Sequence, residues 1–262
     1  MIPRRFITEW SARAPWPENA QIEQDLVIEK ALLQIFSAPF LSERLAFRGG
    51  TALHKLWLKP PVRYSEDIDL VQISPEPIKE TLSALRKQLS FLGNPMVKQS
   101  AHNNSLLFRF ESEVPPIISL RLKIEINCRE HFSVLGFQEK DHTAESTWLD
   151  GSCKITTYAL AEMLGTKLRA LYQRKKGRDL FDLYYAMTYL NPDSETIVKC
   201  YRKYMTTSAT SLPTRKQYLL NLDEKIDDPD FTGDMHALLR PGVEYDPLIA
   251  LELIKAELIE RI

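Results

Sequence analysis

The stretch FRGGTALHKLWLKPPVRYSEDIDLV, Phe47–Val71, decides the fold of this 262-residue chain. It places two adjacent glycines, Gly49 and Gly50, ahead of two aspartates, Asp67 and Asp69, that are separated by one isoleucine. Glycines allow tight turns and close approach of the backbone, whereas two carboxylates so close in sequence repel each other. The stretch therefore combines an unobstructed turn with a concentrated negative charge.

The residues around this stretch predict a strand, a turn, a helix and a second strand. Leu45–Arg48 is a short apolar run that leads into the glycines, and Thr51 is expected to start a helix that ends before Pro60. Ser65–Val71 predicts the second strand. Because the side-chain period of a strand is two, Asp67 and Asp69 are expected to project from the same face of the sheet.

The rest of the chain predicts an α+β protein in two domains. Two further runs, Leu106–Phe110 and Leu120–Ile126, predict a hairpin or meander. Around Gly151 the pattern changes from strand-rich to helical, with Thr156 or Thr157 as the cap of the next helix. We therefore expect a domain at 1–150 and a helical domain at 151–262.

Composition excludes several classes of protein. The net charge of −1 provides no field that would attract nucleic acid, so any such binding must come from a local patch. Three widely spaced cysteines predict neither a disulfide framework nor a zinc site. No segment has the pattern of a signal peptide or a membrane span, which favours a cytoplasmic protein with no membrane partner.

The carboxylates predict a metal site. A divalent cation between Asp67 and Asp69 would remove their repulsion, and carboxylate oxygens are the donors that Mg²⁺ prefers, with Mn²⁺ as the alternative. In LRLKIEIN, Glu125 alternates away from the apolar face and is expected to supply a third carboxylate. Glu111, at the end of the preceding strand, is the second candidate for that third place. Three such donors can hold two metal ions for phosphoryl chemistry.

The glycine turn predicts a phosphate site. The backbone amides of Gly49, Gly50 and Thr51, at the start of a helix, can point donors at an anion. Together with the carboxylates they indicate a nucleoside triphosphate bound with a metal ion. Ser65, two residues before Asp67, is close enough that a phosphate group added to it should repel the triphosphate.

The chain resembles the AbiEii/AbiGii toxin family, a branch of the DNA polymerase beta-like nucleotidyltransferase superfamily. The segments that carry the resemblance are FRGGTALHKLWL, RYSEDIDLV, LKIEIN and KLRALYQRKKGRDLFDLYYA. The resemblance implies a mixed sheet with flanking helices, metal bound by Asp67 and Asp69, and transfer of a nucleoside monophosphate. It also implies the toxin of a toxin–antitoxin system, with a cognate antitoxin and a role in phage defence, and for some members of the wider family the acceptor is a transfer RNA end.

A lysine on an apolar helix stripe forms the second candidate cluster. Lys167 lies in that stripe, and burial of a lone ammonium is unfavourable unless an anion meets it. Either a triphosphate or Asp179 or Asp182 of the next helix could provide the anion. The family pattern favours a functional lysine with Asp182, or Asp179, as its partner, whereas the alternative is a structural ion pair between two helices.

The densest basic group of the chain lies between these helices. Its members are Arg169, Arg174, Lys175, Lys176 and Arg178. It could contact an RNA backbone, or it could be a solvated helix end.

From these features we expect a metal-dependent nucleotidyltransferase that moves a nucleotidyl group from an NTP to a hydroxyl group, such as one of RNA or tRNA. The alternatives are a kinase-like phosphotransferase and a catalytically silent nucleotide-binding module.

Overall fold

The computed structural model describes residues 2–14, 16–100, 102–207 and 211–262. The chain separates into two compact units, residues 1–158 and 159–262. The division into domains at 1–150 and 151–262 stays a prediction, and its boundary falls at the first residue of the last strand of the sheet.

The first unit contains a mixed sheet of seven strands in the order β3-β4-β5-β2-β1-β7-β6. Strand β2 pairs in parallel with β5, and β1 pairs in parallel with β7, whereas the other neighbours are antiparallel. The predicted α+β fold, a mixed sheet with flanking helices and a helical C-terminal region, is confirmed. The strands are β1 (Leu45–Arg48), β2 (Asp67–Gln72), β3 (Met96–Gln99), β4 (Asn103–Glu111), β5 (Ser119–Asn127), β6 (Phe137–Glu145) and β7 (Asp150–Tyr158).

The centre of the sheet has one apolar face and one polar face. On β2, Ile68 and Leu70 are fully buried, and on β5 the same holds for Ile124 and Ile126. Between these residues, Asp67 and Asp69 on β2 and Lys123 and Glu125 on β5 are only half-buried. Because alternate side chains of a strand point to opposite faces, this pattern leaves the polar face of β2 and β5 open to ligands.

In the described residues of this unit, five helices accompany the sheet, and a 3-10 turn at Ser90–Leu92 follows the last of them. Helix α4 begins at Gly49 and not at Thr51 as predicted, so the glycines form its first turn. The chain changes direction from β1 into α4 at Gly49, whose φ of +83° is a conformation that favours glycine. The helices are α1 (Arg4–Trp10), α2 (Asn19–Phe36), α3 (Pro39–Ser42), α4 (Gly49–Leu56) and α5 (Lys79–Gln88).

A buried charge network fixes α4 against α2. The ammonium of Lys55 lies 2.8 Å from Glu29 and 3.2 Å from Asp25, and His142 on β6 lies 2.6 Å from the other oxygen of Glu29. Burial would raise the pKa of Glu29, but Lys55 and His142 outweigh it and lower that pKa to about 2. The network therefore holds α4, and with it the glycines, in a defined position.

The second unit is helical. Helix α6 begins at Leu160. Thr156 and Thr157 do not cap this helix as predicted, because both belong to β7. The hydroxyl of Thr157 donates to the carbonyl of Phe47 on β1. No helix in the described ranges is long and apolar enough to cross a membrane. The helices are α6 (Leu160–Gln173), α7 (Gly177–Leu190), α8 (Ser194–Thr207), α9 (Arg215–Ile226), α10 (Pro229–Thr232) and α11 (Pro247–Glu257), with 3-10 turns at Gly233–Met235 and Ile259–Arg261.

Candidate active site

Two rows of charged side chains cross the polar face of the sheet. In the first row, Asp69 on β2 is the direct partner of Arg48 on β1 and of Glu125 on β5. In the second row, Asp67 is the partner of Lys123. Direct partners on neighbouring strands share a sheet face, so the three predicted metal ligands lie on adjacent positions of one surface.

The spacing of these carboxylates suits a metal cluster. Neighbouring strands lie about 4.8 Å apart, and residues two apart on a strand are separated by about 6.6 Å. In the described part of the chain no three His, Cys, Asp or Glu side chains already converge as a metal site. Three hard oxygen donors on adjacent positions nevertheless fit the chemistry of Mg²⁺ once their side chains rotate toward a common ion.

Glu111, the second candidate for the third ligand, lies away from this cluster. On β4 it pairs with Ser119, whereas the partner of Glu125 is Ser105, six residues earlier. At about 3.3 Å per residue, Glu111 lies roughly 20 Å along the strand from that position. The register therefore favours Glu125.

The charge around Asp67 is only partly compensated. Burial, followed by repulsion from Asp69 and Glu66, raises the pKa of Asp67 to about 6, although Lys123 lowers it. Glu125 forms an ion pair with Lys123. The ionised form of Asp67 is therefore unfavourable in the metal-free protein, and a divalent cation would stabilise it.

We expect this carboxylate to make the metal-free protein less stable as the pH rises. The folded state keeps the proton on Asp67 up to about pH 6, whereas the unfolded chain releases it near pH 4. Stability is therefore full below both values, falls between about pH 4 and 6, and levels off once the pH has risen through 6. Between pH 4 and 7 in EDTA, the free energy of unfolding of wild type should decrease by about 1–2 kcal/mol more than that of Asp67→Asn. This figure allows for solvent screening. A pH-independent difference in urea denaturation would contradict this assignment.

Gly49 lies directly against one of these carboxylates. A Cβ atom added at Gly49 would stand 2.2 Å from Oδ2 and 3.0 Å from Cβ of Asp69. Gly50, the next residue, is buried. The first glycine therefore meets two requirements, a positive φ and space for the aspartate. This close packing connects the start of α4 to the carboxylate cluster.

We expect Gly49→Ala to destabilise the protein by about 2–4 kcal/mol, because backbone strain is added to a clash with Asp69. Gly93 provides a matched control, since its φ is +81° and a Cβ there would meet nothing within 4 Å. Gly93→Ala should add the backbone strain alone and cost less, about 1–2 kcal/mol. Urea denaturation of both variants measures the difference, and equal losses would show that the contact with Asp69 is unimportant.

Thr51 and Ser65 connect α4 to β2. The hydroxyl of Thr51 donates to the backbone carbonyl of Asp67 at 2.5 Å and lies 2.7 Å from the hydroxyl of Ser65. Because Thr51 has one hydroxyl proton, Ser65 must donate to Thr51. The Thr51 side chain therefore positions Asp67, and only its backbone amide is left as a candidate phosphate donor.

Arg48 is a residue of this face that the sequence analysis did not single out. Its guanidinium lies 2.6 Å from Glu130, in the loop after β5. Burial would lower the pKa of Arg48, but Glu130, Tyr158 and Asp69 raise it. The one sequence feature that could have indicated a role for Arg48 was its position next to the glycines. Its contact with Glu130 could not be predicted, because that contact depends on the fold.

In the second unit, Lys167 has the aspartate partners that its sequence predicted. Its ammonium lies 2.7 Å from Asp182 and 3.1 Å from Asp179, and both aspartates are fully buried. Asp179 also accepts two hydrogen bonds from Arg174, at 2.6 and 2.8 Å. Burial would raise the pKa of Asp179, but Lys167 and Arg174 outweigh it and lower that pKa. The four charges balance and tie α6 to α7.

Most of the basic group between these helices forms contacts inside the second unit. The guanidinium of Arg169 lies 5.1 Å above the ring of Tyr204. Three further members form ion pairs, Arg174 with Asp179, Lys175 with Asp228 and Arg178 with Asp234. These contacts favour the interpretation that the group stabilises the end of α6 and the start of α7.

The fold is shared with solved structures. MenT4, a nucleotidyltransferase toxin from Mycobacterium tuberculosis, is 17% identical, with a TM-score of 0.64 over 100% of this chain and 88% of that one. JHP933 from Helicobacter pylori is also 17% identical, with a TM-score of 0.56 over 94% of each chain. At this identity the likeness concerns the fold alone.

No curated protein matches the sequence. A family does match, over residues 30–257, and these residues include Gly49, Gly50, Asp67, Asp69 and Glu125. The matched region covers most of both units. The chain belongs to this family, which is described as nucleotidyl transferase AbiEii toxin, Type IV TA system.

Proposed function

We propose that this protein transfers a nucleoside monophosphate from an NTP to a hydroxyl group of RNA, such as a transfer RNA, and releases pyrophosphate. The reaction would require Mg²⁺, or Mn²⁺ in its place. The observation that carries the proposal is the register of β1, β2 and β5, which brings Asp67, Asp69 and Glu125 onto adjacent positions of one face.

The three carboxylates would have separate roles. Asp67 and Asp69 would hold the metal ions, and Glu125 would complete the site and accept the proton of the attacking hydroxyl. Bound divalent ions would supply activation of that hydroxyl and neutralisation of charge on the phosphates. The raised pKa of Asp67 supports this assignment, because burial and repulsion from Asp69 and Glu66 disfavour its ionised form, which a divalent cation would stabilise.

The start of α4 would bind the phosphates. The first amides of an α-helix have no intrahelical partner, and they favour an anion. Gly49, Gly50 and Thr51 provide these amides beside Asp69. Ser65 supports the same segment through Thr51, so a phosphate group on Ser65 would both add negative charge and break the bond to Thr51.

Lys167 is proposed to neutralise charge on the triphosphate, with Asp182 and Asp179 holding its ammonium. In the cell the protein would act in the cytoplasm as the toxin of a toxin–antitoxin pair, and its activity would serve phage defence. These roles rest on the family to which the chain belongs.

Labelled nucleotides test the reaction type. We expect total RNA incubated with the protein, Mg²⁺ and an NTP labelled at the α-phosphate to become labelled, with release of pyrophosphate. Label transferred from the γ-phosphate would instead identify a kinase-like phosphotransferase. Nucleotide binding with transfer from neither position would identify a silent binding module.

A further inference from the structure

The ammonium of Lys123 lies among the carboxylates of the candidate active site. Lys123 pairs in register with Asp67 and forms an ion pair with Glu125, two residues later on the same strand face. Hydrogen bonding to Glu125 is the main cause of a raised pKa of Lys123, to which Asp67 and Asp69 also contribute. The lysine thus supplies a positive charge in the region proposed for the metal ions.

This ion pair differs from the buried lysine–carboxylate contacts made by Lys55 and Lys167. The side chains of Lys123 and Glu125 are 41% and 32% exposed, whereas Lys55 and Lys167 are almost completely buried with their partners. Separation of a buried pair leaves an uncompensated charge, but an exposed pair contributes little and separates easily. Glu125 can therefore exchange Lys123 for another cation without disrupting the fold.

We propose that Lys123 is a positioning residue that exchanges partners during substrate binding. It holds Glu125 in the metal-free protein and releases it when a divalent cation binds to the carboxylates. Its ammonium, on a flexible four-carbon stem, then neutralises a phosphate oxygen of the incoming triphosphate. This inference rests on the proposed function, and it adds a residue that couples metal binding to nucleotide binding.

The exchange has two consequences of opposite sign. In the metal-free protein, Lys123 competes with the metal for Glu125 and repels it, so removal of the lysine charge should strengthen metal binding. In the metal-bound protein, the same charge favours the triphosphate, so its removal should weaken nucleotide binding. A lysine with only a structural role would affect both affinities in the same direction.

Calorimetric titration of purified full-length variants separates these cases. We expect Lys123→Met to bind Mn²⁺ about three- to tenfold more tightly than wild type. At saturating Mg²⁺, the same variant should bind an NTP analogue about tenfold more weakly than wild type. The analogue is one that cannot be cleaved between its α- and β-phosphates. Lys123→Arg, which keeps the charge, should restore both affinities toward wild type. Lys154→Met is the control, because Lys154 on β7 of the same sheet also forms an exposed ion pair with a glutamate, Glu139 on β6, at 3.4 Å.

Unchanged or weaker Mn²⁺ binding by Lys123→Met would overturn the inference, and so would unchanged binding of the analogue. Failure of the metal site on which the proposed function rests gives a different result. In that case wild type and Asp67→Asn would have the same affinity for Mn²⁺, because the carboxylates would not be metal ligands. Loss of Mn²⁺ affinity in Asp67→Asn with no gain in Lys123→Met would therefore reject the role of Lys123 alone.

Discussion

Asp67→Asn and Asp69→Asn should each reduce transfer of the α-phosphate label to RNA by about a thousandfold or more, equivalent to about 4 kcal/mol of transition-state stabilisation. Either change replaces a charged oxygen donor by an amide on the face where Arg48, Asp69 and Glu125 lie in one row. The initial rate of RNA labelling at saturating Mg²⁺ measures the effect.

The loss should be specific to the candidate active site and should not follow from unfolding. Asp67→Asn removes a repelled carboxylate, so we expect this variant to be at least as stable as wild type without metal. Asp141→Asn, which changes an exposed aspartate on β6 of the same sheet, serves as the control and should keep full activity.

Induced expression of wild type should arrest growth of a bacterial host, whereas induced expression of Asp67→Asn should not. A folded Asp67→Asn protein with wild-type activity would remove Asp67 from the mechanism.

Local pattern was sufficient to predict that the carboxylates share a face. Asp67, Asp69 and Glu125 alternate with buried Ile68, Leu70, Ile124 and Ile126, and this period of two is a property of each strand alone. Pairing of β2 with β5 is a long-range property, because 46 residues lie between the two strands. Lys123 becomes a neighbour of Asp67 only through that pairing, and Arg48 becomes a neighbour of Asp69 only through the pairing of β1 with β2.

The two strands β6 and β7 show why other elements could not be predicted. Five of the nine residues of β6 are exposed, so the strand lacks the apolar alternation that marks a buried face. In β7, Thr156 and Thr157 look like helix caps, but the side chain of Thr157 bonds to Phe47 on β1. Tertiary pairing therefore overrode a local capping signal, and the helix begins only at Leu160.

Lys167→Met should reduce the free energy of unfolding by about 3–5 kcal/mol, because it leaves a carboxylate without compensation in a buried site. Asp182 and Asp179 are both fully buried, and Arg174 can balance only one of the two charges. Urea denaturation measures the loss. Lys199→Met, at an exposed position of α8 in the same unit, is the control and should change stability by less than about 0.5 kcal/mol.

The double variant Lys167→Met, Asp182→Asn separates the structural role of Lys167 from its proposed role toward the nucleotide. It leaves Asp179 and Arg174 as one balanced pair, so it should recover most of the stability that the single variant loses. If Lys167 neutralises charge on the triphosphate, the folded double variant should still label RNA at least about a hundredfold more slowly than wild type. Recovery of activity together with stability would show instead that the lysine serves only to join α6 and α7. The separation of activity from stability is what distinguishes the two roles.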